Sequence, residues 1–284
     1  MRRPGLPLKR YFEPRMDRPL PLWMIFPVIF AALYASHFSL LRLPYYWDEA
    51  GYYIPAAWDF FRTGSLIPVS TLTNAHPPLP SIYLAFWWKT SGFLPEVTRE
   101  AVLIVASFGL LAVWRLAMRI VGVPSVAFWT TLLTGIYPIW FAQSSLAHAD
   151  IFAAACSLWG LVCILPERDR KPWAATLWFA AAALCKETAV VFPFTLVAVN
   201  LVYVFRSSKP VRRRLLLESV WLISSVLPLL AWYGWHYSKT GFIFGNPEYL
   251  RYNAESNFEI LRFLAAFAHR ILHLTAHMNM FVPV

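Results

Sequence analysis

Long apolar stretches separated by short polar ones dominate the chain. Seven apolar runs can be followed, at residues 22 to 41, 101 to 120, 124 to 146, 150 to 165, 172 to 185, 188 to 205 and 215 to 236. A helix rises about 1.5 Å per residue and a bilayer's hydrocarbon is about 30 Å thick, so roughly 20 apolar residues cross it. The pattern predicts an all-α polytopic membrane protein with a core of about seven transmembrane helices over residues 22–236. One further stretch, LPSIYLAFWWKTSGF at 79–93, has an apolar core of only about ten residues before Lys89. It predicts an interfacial amphipathic helix inside a first outer loop spanning 42–100.

Composition agrees with that class. The 284 residues are 58% hydrophobic and 14% charged, with a mean hydropathy of +0.50, where a soluble domain carries about 25% charge. Fourteen Trp, 13 Tyr and 22 Phe suit membrane–water interfaces, where a ring has one apolar and one wet side. Cys156, Cys163 and Cys185 lie in apolar segments without ligand spacing and read as small buried hydrophobes. The basic arm 1–21 precedes an apolar run too long for a signal-peptide core, so that run reads as an uncleaved first span.

The net charge of +10 does not point to nucleic acid, because the charges lie in loops beside apolar runs. Membrane lipids of an anionic leaflet are the expected partner. With 79–93 on the surface, one side collects the N-terminal arm, Arg115, Arg119, the 166–172 loop and the 206–214 loop. That side holds 16 of the 25 Lys and Arg but 5 of the 15 Asp and Glu. The positive-inside rule makes it cytoplasmic. The expected location is therefore a plasma (inner) membrane crossed several times, with the N-terminus inside.

The polar motifs then gather on the periplasmic or extracellular side. They are WDEAGYY after the first run, NAHPPLP before the surface helix, SLAHAD, CKET, and YSKTG after the last run. Ionisable groups at membrane depth are costly and mark function. Asp48 and Glu49 raise each other's proton affinity and suit a general base, a cation ligand or a plain loop pair. His76 precedes two prolines that start a helix. Asp150 opens an apolar run, as a catalytic carboxylate or as an ordinary helix-terminal acid; His148 nearby carries less weight. Lys186 and Glu187 interrupt an apolar stretch as a turn. Lys186, Lys239 and Arg251 are candidate phosphate contacts, or snorkelling cations at span boundaries. His269, His273 and His277 repeat every four residues without an HExxH motif, which reads as a polar interfacial stripe.

The order of these motifs resembles the GT-C glycosyltransferases, and among them the protein O-mannosyltransferases and the lipid A aminoarabinose transferase. The resemblance rests on DE-x-x-Y (Asp48, Glu49, Tyr52) after a first span, a Pro-Pro motif opening a surface helix, Asp150 at the start of a span, and Lys186 after the next. It implies transfer of a sugar from a polyprenyl-phosphate-linked donor to a glycan, lipid or protein acceptor. Asp48, Glu49 and Asp150 take the catalytic places, while Tyr52, His76, Lys186, Glu187, Lys239 and Arg251 take substrate-binding ones. Glu187 stands where the family's motif has Gly, and His76 where aminoarabinose transferases carry Lys. A divalent metal is the candidate cofactor. Family members continue with further spans, so 237–284 is expected to be an outer loop and the start of a truncated C-terminal region. A lipid transporter or flippase, or a catalytically silent scaffold sharing the fold, are the competing expectations.

Overall fold

The structure is a computed structural model that describes residues 21–71, 73, 76–165, 170–243, 251 and 259–277. Those residues form helices and connecting loops, with no strand among them. Twelve α-helices are described: α1 (Leu22–His37), α2 (Ile54–Thr63), α3 (Leu79–Ser91), α4 (Pro95–Ile120), α5 (Pro124–Ile136), α6 (Pro138–Gln143), α7 (Ala149–Ile164), α8 (Pro172–Cys185), α9 (Val191–Val204), α10 (Lys209–Ser224), α11 (Leu227–Thr240) and α12 (Ile260–Leu272). Eight of them carry proline in their first two positions. The first turn has no use for that N–H, and the ring presets the helical φ. Gly64 and Gly241 close α2 and α11 at φ 72° and 74°, a left-handed conformation that a side chain resists.

Four elements are long and apolar enough to cross a bilayer: Leu22–Leu40, Pro95–Ile120, Glu187–Val204 and Lys209–Thr240. The protein is thus a membrane protein by the length and composition of its helices. The other expected runs differ for physical reasons. Residues 124–146 break at Pro138, whose missing N–H ends α5 and starts α6. The apolar helices α7 and α8 have 16 and 14 residues, which at 1.5 Å per residue fall short of 30 Å.

The helix expected at 79–93 differs in how its apolar residues are distributed. The helix is there as α3, but its apolar residues lie on more than one face. Leu84, Ala85 and Trp88 are buried while Ile82 and Phe86 are exposed, because the helix packs between α2 and α4 on one side. The segregated apolar face belongs instead to α2, which buries Ile54 and Ala57 and exposes Arg62 and Thr63. Its buried carboxylate, Asp59, accepts hydrogen bonds that fold the following loop back.

Helix α4 is the central post, packed by α1, α3, α5 and α7. Around it lies the main core, including Trp88, Val102, Leu103, Ala106, Phe152 and Ala182. A second core, with Ile164, Phe179, Val197 and Leu222, ties α7 through α10 together. The closest helix pair is α7 with α8. At Gly160 a Cβ would come within 2.6 Å of the Phe179 ring, so only glycine lets these helices approach so far. Cys185 is buried, and Cys156 and Cys163 are partly buried, all without disulfides.

The helix directions give the bundle two ends. At one lie the start of α4, the start of α7 and the end of α8. At the other lie Arg119, which donates to the Val162 carbonyl, the end of α7, the start of α8 and the turn joining α9 to α10.

Candidate functional site at one end of the bundle

The site begins with a backbone anomaly. Trp47 has φ 53°, a left-handed conformation unusual for a bulky residue and often found where function is worth strain. Directly after it, Glu49–Tyr53 forms a π-helical turn. Wider than an α-helix, this turn shifts the phase of the side chains that follow. The neighbouring acids Asp48 and Glu49 therefore go to different places.

Glu49 goes inward. It is 0% exposed, pairs with Arg99 at 3.3 Å, and accepts the Ala147 N–H at 2.8 Å. Arg99, itself buried, also donates to the carbonyls of Leu43, Pro44 and Ser145. The pair stitches the first loop, α4 and the turn before α7 into one body. Glu49 is thus closed off from solvent, its carboxylate held between Arg99 and the Ala147 N–H. Asp48 is only partly buried. Its carboxylate has no hydrogen-bond or ion-pair partner among the described residues, although its charge is felt at Tyr53 and His148.

Beside Asp48 the separated motifs meet. His76 stacks on Tyr53 with ring centroids 5.6 Å apart, and His148 packs on Tyr53 at 5.6 Å. The His76 Nδ1 lies 3.0 Å from Glu187 Oε2, and Lys186 Nζ lies 2.6 Å from Asp150 Oδ1. Each motif reaches this place for a local reason. Two prolines hold the chain at His76 extended before α3. Asp150 is in the first turn of α7, where the helix dipole favours an anion. Helix α8 stops at Cys185, and an extended Lys186 separates it from the turn Glu187–Val190, so both side chains project at the end of the bundle.

Two groups have their acidities set by this crowding. Burial pushes the Tyr53 phenol up, Asp150 and Asp48 push it further, and the Ala149 N–H opposes them only in part, so the phenol stays protonated. Burial lowers the His148 pKa, against the raising effect of Glu49, Asp48 and Asp150. His148 is thus neutral at pH 7, and its Nε2 is buried without a partner. A neutral imidazole with an unused ring nitrogen, next to an open carboxylate, can accept or relay a proton.

Against the same His76 and Tyr53 lies a cavity of about 30 Å³, also lined by Phe60, Pro78, Trp232 and His236. It has room for a water or two and no more. His236 brings α11 to the site; it is 3% exposed, with Nδ1 2.9 Å from the Phe242 carbonyl.

Of the residues expected from sequence, Asp48, His76, Asp150, Lys186 and Glu187 are brought together. Tyr52 is exposed and its neighbour Tyr53 occupies the centre instead, a consequence of the π-helical turn. Lys239 is exposed in the last turn of α11, three residues past His236, and among the described residues no hydrogen bond or ion pair joins it to the cluster. Arg251 is exposed, and the residues beside it lie outside the described ones. The His277 side chain lies outside them too. The unexpected members are Arg99, Tyr53 and His236, along with a larger role for His148. A lone arginine near the start of an apolar helix was the available signal for Arg99.

Among the described residues no three His, Cys, Asp or Glu converge as ligands, and Asp150 and Glu187 are turned to Lys186 and His76. No protein-family model matches the chain, and neither curated proteins nor solved structures yield a match.

Proposed function

We propose that the protein is a GT-C-type glycosyltransferase with a core of about seven membrane-embedded helices. It would move a sugar from a polyprenyl-phosphate carrier to a hydroxyl acceptor at the outer face. The observation that carries this reading is the contrast among the site's carboxylates. Glu49, Asp150 and Glu187 each have a cation or imidazole partner, while Asp48 has none among the described residues. A general base must be uncommitted and within reach of the proton it takes.

In the proposed reaction the acceptor oxygen attacks the anomeric carbon and its proton passes to Asp48. The bond from that carbon to the phosphate oxygen breaks, and the lipid phosphate leaves with the electron pair. Lys186, held by Asp150, is the cation for the leaving phosphate. Tyr53, packed by both His76 and His148, holds the two imidazoles beside Asp48. Glu49 and Arg99 hold the loop that carries Asp48. No step is routed through a metal.

The test supplies a polyprenyl-phosphate sugar and acceptor glycans to the purified protein in lipid vesicles and follows release of polyprenyl phosphate. Turnover by the wild type that is lost in Asp48→Asn supports the reading. Equal turnover by both removes Asp48 from the mechanism. Turnover by neither, with sugar lipid moved between leaflets, supports a flippase instead.

A further inference from the structure

Among the described residues, helix α12 makes no extensive contact with the rest of the bundle. Every residue from 260 to 272 is exposed, and its main packing is with its own continuation, the π-helical turn His273–His277. At 100° per residue one half of its circumference carries Ile260, Leu261, Phe263, Leu264, Phe267 and Ile271, with exposures from 48% to 83%. The other half carries Arg262, His269, Arg270 and His273, with the rings of His269 and His273 stacked 6.2 Å apart. No Asp or Glu occurs from residue 260 onward. Such an apolar face is too large to be left in water.

Three features select its cover. The 13 residues rise about 20 Å, less than the 30 Å needed to cross a bilayer. The helix follows the membrane-spanning element Lys209–Thr240 closely in sequence, so it is tethered near the bilayer. Its polar face is purely cationic or titratable to cationic, complementary to anionic headgroups. We infer that α12 is a membrane-surface helix, its apolar face at the boundary of headgroups and acyl chains and its Arg–His face among the phosphates of an anionic leaflet. This holds whether or not the protein transfers sugar.

The experiment uses the full chain with its three cysteines replaced, reconstituted in vesicles of phosphatidylcholine alone or mixed with phosphatidylglycerol. An environment-sensitive fluorophore is placed in turn at Leu264→Cys, Phe267→Cys and Ala266→Cys, and lipid-borne quenchers of known depth report its position. Circular dichroism checks that each variant is folded. The expected result is shallow quenching at 264 and 267, several-fold stronger than at 266, and greater in the anionic vesicles. Combining Arg262→Glu with Arg270→Glu should cut the lipid-bound population roughly tenfold or more in anionic vesicles and change little in neutral ones. Deep quenching at all three positions would mean that the segment crosses the bilayer. Shielding from water without lipid quenching would mean that a second copy or another part of the chain covers it. Either result, or full exposure to water, overturns the inference.

Discussion

Two carboxylate networks sit at opposite ends of the bundle and differ in one respect. At the end away from the site, Arg170 Nη1 lies 3.0 Å from both oxygens of Glu218, and Asn200 donates to Glu218 at 3.2 Å. Glu218 is 4% exposed and faces only its partners. This network joins the segment just before α8 to α9 and α10, and it is closed among the described residues. At the site end Glu49 and Arg99 are closed in the same way, but they support an Asp48 that is left open beside Tyr53 and His148. A buried ion pair is weak evidence of function, since packing alone can account for it. An open carboxylate held in place by a closed one is harder to explain by packing.

The sharpest way to break this comparison is to neutralise one acid from each end. Asp48→Asn should lower sugar transfer by about a hundredfold or more, the usual size of a general-base effect, and leave the thermal midpoint in detergent unchanged. Glu218→Gln should do the reverse. If Glu218→Gln abolishes transfer in a fully folded protein, the two ends are not functionally distinct.

Arg99→Met tests the closed half of the site end. It strands Glu49 in a fully buried place, and breaking such a pair costs about 3–5 kcal/mol. The double variant with Glu49→Gln should recover much of that loss, because no buried charge is then left alone. Denaturant unfolding of the single and double variants measures both. Recovery of stability without recovery of transfer would sharpen the assignment of Glu49 and Arg99 as positioning residues.

Arg170→Met is the matching change at the other end and should cost less, about 1–3 kcal/mol. Arg170 keeps 26% of its side-chain exposure, so water partly screens the Glu218 charge once the arginine is gone, and Asn200 still donates to it. A larger loss than for Arg99→Met would reverse the ranking of the two networks.

The helical class and much of the site were legible in the sequence because both rest on local pattern. Apolar runs mark helices, and charged motifs at run ends mark the polar turns. What was not legible depends on geometry between segments. Whether Tyr52 or Tyr53 faces the centre follows from a π-helical turn, which α-helical periodicity does not anticipate. The burial of Glu49 depends on Arg99, 50 residues away, and the arrival of His236 depends on how α11 packs. The split of 124–146 at Pro138 was readable from proline chemistry, yet the unbroken apolar character of the stretch masked it.

The smallest expected effect concerns a third closed carboxylate, Asp59 of α2, which lies between α1 and α3 in the chain. Asp59 accepts hydrogen bonds from the Val69 N–H at 2.7 Å and from the Ser70 N–H and hydroxyl at 2.8 and 2.9 Å. The loop so fixed carries Thr71, whose hydroxyl donates to the Gly51 carbonyl at 2.8 Å, inside the turn that follows Asp48. Burial by itself would raise the Asp59 pKa, but these hydrogen bonds, with Arg62 nearby, outweigh it and hold the carboxyl below its usual range. A depressed folded-state pKa contributes stability that is complete above the unfolded value of about 3.9 and fades as pH falls through the folded value. Asp59→Asn should therefore be less stable than wild type by about 1–2 kcal/mol at pH 7, and the two stabilities should converge as pH falls through the depressed folded-state pKa. A gap that stays constant to low pH would mean that Asp59 acts by shape rather than charge. Because the described hydrogen bond from this part of the loop to the turn after Asp48 is that of Thr71 to Gly51, the same variant should lower the proposed transfer a few-fold at most, which separates an acid that steadies the loop from the acid proposed to take the proton.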